Sequence, residues 1–243
     1  MKPELSIVFS CYGQPDMLRE WFRAYEQQDG LSRSLTEVVV VDDCGTPVAD
    51  PPSYATLLRV QRDIPWNQPG ARNLGALQAK AETLLLIDVD MTLPPGRLAG
   101  LLEAVKLMPK KAVWQPSLRH ITNAGAPVEK FDDTSPNVYL IRREQFWKSC
   151  GYDEDYCGHK GWSDCKLQNV LGAMFTLRKV KSLWLWLHHS GNIKDAQVKT
   201  LDRSVAHNKK FHVRDNAVAK KKGWIRVAQA QGEIVRFLWT KVR

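Results

Sequence analysis

Two aspartates stand one residue apart at the end of an apolar run, in the stretch TLLLIDVDM at residues 83–91. Burying an unpaired carboxylate is costly, so Asp88 and Asp90 are expected where the chain leaves the core. At this spacing on an extended chain both carboxylates point the same way, and their oxygens suit Mg²⁺ or Mn²⁺. Such a cation can bridge two phosphates and neutralise a leaving diphosphate. An isolated Asp-x-Asp pair is also typical of an ordinary acidic loop, so its sequence context decides between the two interpretations.

The elements that must position this pair alternate between strand and helix patterns. Apolar runs predict strands at 5–11, 37–43 and 83–88, and helical spacing predicts helices at 14–28, 68–81 and 94–108. Further strands are predicted at 111–118, 137–143 and 181–191, with helices at 143–151 and 163–174 and a basic helical segment after them. Continuous apolar strands alternating with helices indicate an α/β fold, with a mostly parallel central sheet that is flanked by helices.

Polar side chains follow three of the predicted strands. They are Cys11 with Tyr12, Asp42 with Asp43, and Asp88 with Asp90. In open parallel sheets, ligands bind beyond the carboxyl ends of the strands. The carboxylates therefore need not be buried, because each pair falls where a strand opens into a crevice.

The composition limits the class of protein. The chain has 243 residues, of which 44% are hydrophobic and 25% charged, and this fits one folded α/β domain. No apolar run reaches the ~18 residues of a membrane span, and the N-terminus lacks the pattern of a secretory signal. Five cysteines without paired CxxC spacing argue against a disulfide framework and against a zinc site. We therefore expect a cytoplasmic protein with free, buried thiols.

The net charge of +9 comes from one segment of the chain. Residues 199–243 contain twelve Lys and Arg but three Asp and Glu, so the residues before them are neutral overall. This asymmetry favours an anionic partner such as phospholipid, nucleic acid or an acidic glycan. A solvated basic helix face would give the same pattern, and the sequence leaves both interpretations open.

The chain carries a series of motifs that resembles GT-A-fold glycosyltransferases of the family-2 type. The nucleotide-sugar-binding half is matched, in this order, by SIVFSCYGQPDML, EVVVVDDCG, PGARNLGA and LLLIDVDMTLPPGRL. The acceptor side, with its galactosyltransferase-type segment, is matched by FWKSCGYDEDYCGHKGWSDCKL, and a histidine-bearing strand by WLHHSGN. The resemblance implies one GT-A domain over 1–243, with a Rossmann-like nucleotide-sugar half at 1–110, an acceptor half at 111–198 and a basic helical extension at 199–243.

The resemblance also implies roles on the donor side. The residues that match nucleotide-sugar-binding positions are Cys11, Tyr12, Asp42, Asp43, Arg72, Asp88 and Trp162. Among them, Tyr12 could stack on uracil and Arg72 could pair with phosphate oxygens. One carboxylate of the Asp42–Asp43 pair would accept a hydrogen bond from the base.

The resemblance assigns the metal ligands and a general base as well. The ligands of Mn²⁺ or Mg²⁺ would be Asp88, Asp90 and one histidine, and we favour His188 over His189 because adjacent residues on a strand face opposite sides. Asp164 matches the general base, which takes the proton of the acceptor hydroxyl. Many relatives have Glu-Asp here, whereas this chain has Ser-Asp. The alternative is that Asp164 merely stabilises the first turn of a helix.

These features predict a metal-dependent, inverting glycosyltransferase that moves a sugar from a UDP-sugar to an acceptor hydroxyl. A surface or capsule glycan, or a lipid-linked glycan at the inner membrane surface, ranks first as acceptor. DNA with hydroxylated bases, as in phage-type DNA glycosyltransferases, is the alternative. A non-catalytic nucleotide-sugar or nucleic-acid binding protein is a rival from another class. A nucleotidyltransferase ranks third, because the usual glycine-rich loop is missing after the first strand.

Overall fold

The computed structural model describes residues 2–44, 47–48, 51–121, 127–132, 135–188 and 201–243. The strands are β1 Leu5–Cys11, β2 Thr36–Asp42, β3 Ala55–Val60, β4 Thr83–Leu86, β5 Met91–Thr92, β6 Ala112–Ile121, β7 Pro127–Asp132, β8 Tyr139–Arg142, β9 Thr176–His188 and β10 Trp239–Lys241. The helices are α1 Pro15–Glu26, α2 Gly30–Ser34, α3 Gln68–Gln78, α4 Arg97–Leu107, α5 Arg143–Lys148, α6 Ser163–Met174, α7 Ala206–Lys222 and α8 Trp224–Gln229, with a 3-10 turn at Glu154–Tyr156.

The described strands form one mixed sheet in the order β10-β3-β2-β1-β4-β8-β6-β9-β5, with β7 paired to β6. Strands β3, β2, β1 and β4 are parallel neighbours, and this confirms the predicted α/β architecture of the first half. Beyond β4 the sheet is mixed, because β8 is antiparallel to both β4 and β6 while β9 is parallel to β6. No described helix is long and apolar enough to cross a membrane.

Two apolar layers cover the two faces of the sheet. One layer packs alternate residues of β1 and β2 against α1 and α4, with Phe9, Trp21 and Leu101 among its members. The other layer packs the intervening strand residues against α3 and α6, with Val8, Leu74 and Leu167 among them. Both faces are buried, and this explains why the strand sequences are continuously apolar rather than alternating.

Some predicted elements differ from the structure. The strand predicted at 83–88 ends at Leu86, so Asp88 and Asp90 lie in a turn instead of on an extended chain, with the Met91 amide donating to the Asp88 carbonyl at 3.0 Å. The segment 199–243 is helical only in part. Its last residues form β10, which adds an antiparallel strand at the edge of β3. The strand signal of β10 is three residues long, too short to separate from the basic segment around it.

The helix that leads into the site crosses β1 at very short range. A Cβ atom placed on Gly75 of α3 would lie 2.4 Å from Cγ1 of Val8. Val8 is fully buried and has no room to move. Only glycine therefore lets α3 approach the strand this closely, and that approach sets the position of every side chain on α3.

We predict that Gly75→Ala lowers the free energy of unfolding by about 1–3 kcal/mol, because the added methyl overpacks the core. Gly172→Ala is the matched control: Gly172 also lies in a helix, but its added Cβ would meet no atom within 4 Å. The control should be neutral or stabilise by up to about 1 kcal/mol, since Ala favours helix. Urea unfolding curves of both variants measure the difference. Equal stability of the two variants would contradict the close approach.

Candidate active site

A cavity of about 170 Å³ opens beyond the carboxyl ends of β1, β2 and β4. Its walls include Tyr12, Asp43, Asp88 and Asp90, which come from the three strand ends that the sequence singled out. Residues of α3's first turn and its approach complete the wall, together with Leu201 from the C-terminal segment. One residue or more of each strand-end pair therefore lines the cavity.

The first two strand ends each turn one of their two residues toward this cavity. Tyr12 donates to Asp63 at 3.1 Å, and burial together with this hydrogen bond raises the pKa of Tyr12 to about 12. Asp43 accepts from the amide of Asn67 at 2.7 Å. Burial raises the pKa of Asp43 well above its usual range, against the lowering effect of Asn67. A protonated Asp43 could donate as well as accept a hydrogen bond.

The other two residues of these strand ends do not line the cavity. Cys11 is buried in the core, where its Sγ lies 3.7 Å from the carbonyl of Gln14. Asp42 faces Arg59 on β3, accepting from its Nε at 2.9 Å, and it also accepts from the amide of Val48. Both residues were predicted to bind the nucleotide sugar, but the pleat of the strand directs them away from the cavity and into structural contacts.

Asp88 accepts hydrogen bonds from three side chains. Arg72 donates from Nη2 at 2.5 Å, Asn137 donates from Nδ2 at 2.9 Å, and Gln68 donates from its amide. These donors come from α3 and from the segment just before β8. The turn after β4 therefore has a carboxylate that is already satisfied, and its position is fixed by both halves of the chain.

Arg72 joins Asp88 to the predicted general base. Its guanidinium is fully buried, and Nη1 contacts both the Tyr152 hydroxyl and Oδ1 of Asp164, the latter at 3.4 Å. Burial lowers the pKa of Arg72, but Tyr152, Asp88 and Asp164 raise it by more, so the group stays charged. Asp88 and Asp164 thus share one cation, although 76 residues separate them along the chain.

Asp164 lies in the first turn of α6, immediately beyond two residues with left-handed backbone. Gly161 has φ 87° and Trp162 has φ 71°, and for a bulky side chain such as Trp162 this conformation is strained. Burial raises the pKa of Asp164 to about 6, against the lowering effect of Arg72. A carboxylate with this pKa is mostly ionised at neutral pH and is suited to accept a proton.

Asp90 has no cationic partner among the described residues. Its Oδ1 is buried without a hydrogen bond, and burial together with the charge of Asp88 raises the pKa of Asp90 above its usual range. An orphaned carboxylate oxygen beside a second carboxylate fits a divalent cation, which would supply the missing charge. The side chains present are therefore suited to a divalent cation at Asp90, with Asp88 beside it.

The third predicted ligand does not join these carboxylates. His188 Nε2 shares a 2.8 Å hydrogen bond with Thr92 Oγ1, and burial lowers the pKa of the ring against the raising effect of Glu20. Among the residues that the structure describes, no three His, Cys, Asp or Glu side chains form a group that could hold a metal. The His188 ring thus bonds to Thr92, although its backbone amide donates to the Asp90 carbonyl at 2.9 Å. His189 lies outside the described residues.

The C-terminal helix α7 holds the loop in front of Asp164. Asn208 is fully buried, and its Nδ2 lies 2.9, 2.6 and 3.0 Å from the carbonyls of Tyr156, His159 and Gly161. The ring of His212 stacks on Trp162 at 4.6 Å. The predicted role of Trp162 is a wall of the sugar pocket. In this structure its indole is in contact with α7.

A buried ion cluster fixes the same helix from behind. Lys166 of α6 lies 2.5 Å from Asp153 and 3.1 Å from Asp215 of α7, and Tyr156 donates to Asp215 at 2.8 Å. All three charged groups are nearly inaccessible to water. Part of the C-terminal segment is therefore neither a solvated face nor a binding surface, because its inner side is built into the site. Its outer side carries exposed lysines, among them Lys209, Lys210 and Lys220, and a solvated face and an anionic partner both remain open for them.

Several site residues escaped sequence reasoning. They are Gln68, Asn137, Tyr152 and Asn208. Tyr152 stands inside a motif that carries the resemblance and Gln68 directly precedes one, so their positions were visible although their partners were not. Asn137 and Asn208 lie in stretches with no chemical signature, and only the fold brings them to the site.

The chain matches the model of "Glycosyl transferase family 2" over residues 6–147. It belongs to this family. The match covers β1 to α5 and includes Asp43, Arg72, Asp88 and Asp90.

One similar protein is the succinoglycan biosynthesis protein ExoO of Rhizobium meliloti (strain 1021), 31% identical over 107 residues. That match covers 42% of this chain and 29% of ExoO, so the chain spans well under two thirds of this relative.

Solved structures with the same fold include two glycosyltransferases. S. aureus TarS 1-349 in complex with UDP-GlcNAc has a TM-score of 0.60 at 14% identity, covering 92% of this chain and 79% of that one. GalNAc-T7 with UDP, GalNAc and Mn²⁺ has a TM-score of 0.61 at 16% identity, covering 77% of this chain and 44% of that one. At these identities the likeness establishes the GT-A fold.

We predict that Asn208→Ala frees the loop of residues 156–162, because the carbonyls of Tyr156, His159 and Gly161 lose their donor and a buried group left without its hydrogen bond costs about 1–3 kcal/mol. Hydrogen–deuterium exchange should rise in this loop and stay unchanged in β1 and β2. Asn216→Ala on the same helix is the control, since Asn216 is only partly buried. Unchanged exchange in the loop of Asn208→Ala would show that α7 does not hold it.

Proposed function

We propose that this glycosyltransferase transfers a sugar from a UDP-sugar to an acceptor hydroxyl, with inversion and with Asp164 as the general base. The observation that carries the proposal is the buried guanidinium of Arg72, which contacts both Asp88 and Asp164. A carboxylate of raised pKa thus stands beside the strand end where the donor cavity opens. The UDP complexes of the two structural neighbours support the choice of nucleotide.

The donor would bind in the cavity at the strand ends. The ring of Tyr12 offers a surface for the base, and Asp43 offers a buried hydrogen-bonding group. Asp90, with Asp88 beside it, would hold Mn²⁺ or Mg²⁺ in this cavity. When bound, that cation supplies positive charge for the diphosphate that leaves. GalNAc-T7, which contains Mn²⁺ in its structure, supports this choice.

The acceptor hydroxyl would meet Asp164 from the side opposite the departing nucleotide. Asp164 removes the proton as the hydroxyl oxygen forms its bond to the anomeric carbon, and the bond to the diphosphate breaks on the other face. Arg72 and Tyr152 hold the carboxylate in place, and the left-handed turn at Trp162 precedes it at the start of α6. A glycan is the acceptor that the succinoglycan-pathway relative favours.

We predict that Asp164→Asn lowers kcat by about 10²–10⁴-fold and leaves UDP binding unchanged, because only the proton acceptor is lost. Asp90→Asn should abolish the Mn²⁺-dependent part of UDP binding as well as transfer. Calorimetric titration of UDP, with Mn²⁺ and with EDTA, separates the two effects.

Asp16→Asn is the control for Asp164→Asn, since Asp16 also lies in the first turn of a helix but is exposed. Full activity in Asp164→Asn, or an equal loss in Asp16→Asn, would reduce Asp164 to a helix-stabilising acid. Full activity in Asp90→Asn would remove the proposed metal site.

The pH dependence gives a further test. Burial raises the pKa of Asp164 to about 6, and only the ionised form can accept a proton. We therefore predict that kcat/KM is constant above about pH 7 and falls about tenfold per pH unit well below pH 6. The residual rate of Asp164→Asn should lack this fall. UDP affinity measured at each pH separates loss of the base from loss of the donor, and a wild-type profile that is flat from pH 5 to 8 contradicts the assignment.

A further inference from the structure

Two arginines surround one indole ring on the part of the sheet next to β5. The Cζ atom of Arg119 lies 4.0 Å from the ring centroid of Trp184, and that of Arg97 lies 4.7 Å from it. Arg119 also lies 5.8 Å from the ring of Phe131. We name these four residues, together with Trp186, the arginine–tryptophan patch.

The two guanidinium groups of this patch have no carboxylate partner among the described residues. Arg97 donates from Nη1 to the Ser182 carbonyl at 2.8 Å, while its Nε is buried without a partner. Burial lowers the pKa of Arg97, and the charge of Arg119 lowers it further. The two like charges repel each other, and an anion bound between them would be stabilised.

The patch lies on the strand that leads to the active site. Trp186 of β9 pairs with Thr92 of β5 on one side and with Arg119 of β6 on the other. Two residues further along β9, the His188 amide donates to the Asp90 carbonyl at 2.9 Å. At about 3.3 Å per residue, Trp184 is about 13 Å along the strand from His188. One extended ligand could therefore occupy the patch and still reach the site.

Two aromatic members of the patch, Phe131 and Trp186, offer apolar surface beside the charges, while the guanidinium groups stack on Trp184. The Phe131 ring is 42% exposed, and the indoles of Trp184 and Trp186 are half-buried with centroids 6.3 Å apart. Aromatic rings present flat apolar faces, on which the C–H faces of sugar rings can pack. Guanidinium groups pair with carboxylate or phosphate oxygens through two parallel hydrogen bonds. A ligand that has both features is a sugar chain carrying acidic groups.

We propose that the arginine–tryptophan patch binds an acidic glycan, whose rings carry carboxylate or phosphate groups, as the part of the acceptor next to the reacting sugar. This proposal rests on the proposed transfer function for its biological meaning. The binding itself needs neither donor nor metal. It gives the protein an anion-recognising site that is separate from the basic helix α7.

The test is calorimetric titration of the whole chain, without donor, at one fixed salt concentration. The probes are tetragalacturonate, its fully methyl-esterified and therefore neutral form, and a neutral tetrasaccharide that carries one phosphate monoester. We expect one acidic probe or both to bind at least tenfold more tightly than the neutral ester. The tighter of the two identifies the acidic group.

The variants separate the patch from general positive charge. The double variant Arg97→Gln with Arg119→Gln should bind the acidic probe at least tenfold more weakly than the wild type does. Its affinity for the neutral ester should be unchanged. Arg119→Lys should fall in between, because it keeps the charge but loses the planar fork. Arg178→Gln is the matched control, as Arg178 is exposed on the same strand and away from the patch.

The proposal is overturned if neither acidic probe binds more tightly than the neutral ester, or if Arg178→Gln weakens binding as much as the patch variants do. UDP binding with Mn²⁺, measured on the same variants, should equal that of the wild type and shows that they are folded. Absence of donor turnover in the wild type would sink the proposed function, whereas the glycan titrations would still decide the patch.

Discussion

One buried cation, the guanidinium of Arg72, is the interaction on which the site depends. It connects α3 of the family-2 segment to Asp164 of α6, and it also donates to the carbonyl of Asn137 at 3.1 Å. Removing one partner of a buried ion pair costs about 3–5 kcal/mol, because the remaining charge is left uncompensated. Because breaking either pair is this costly, Arg72 keeps two carboxylates from distant parts of the chain close together. Gly75 allows α3 to approach the sheet closely enough to bring the arginine there.

The second constraint is the attachment of α7 to the loop before Asp164. Asn208 and His212 fix the loop from one side, and Lys166 ties α6 to α7 from the other. Strained backbone at Trp162 persists only where the surroundings determine it, and these contacts are the surroundings. A segment that holds the whole net charge of the protein thus also has a buried, structural side. The amino-acid composition reveals the charge of its exposed side, whereas only the side-chain contacts in the structure reveal its buried side.

The sequence predicts the first half of this protein well because its strands are continuously apolar and its motifs are ordered. The bounds of β1 and α6 agree with the prediction, and Tyr12, Asp43, Asp88 and Asp90 meet at one cavity. Predicting which of two adjacent residues faces the cavity was harder, since the choice between Asp42 and Asp43 depends on the pleat of β2 and on Arg59 of the neighbouring strand β3. Asn137 and Asn208 contribute side-chain amides that the fold brings to the site, and no sequence pattern marks them. The assignment of His188 as a metal ligand stays a prediction, and in this structure its ring shares a hydrogen bond with Thr92.

The guanidinium of Arg72 is already paired, and this affects how the diphosphate of the proposed donor could be bound. The resemblance implied that this arginine pairs with phosphate oxygens, but its guanidinium is fully buried and already contacts Asp88, Asp164 and Tyr152. Turning it toward a phosphate would leave two carboxylates without their counter-charge, at a cost comparable to that of breaking a buried pair. In this structure Arg72 positions the carboxylates, and its pairing with phosphate oxygens stays a prediction. Under the proposed function, a cation beside the orphaned oxygen of Asp90 would supply the charge that faces the diphosphate.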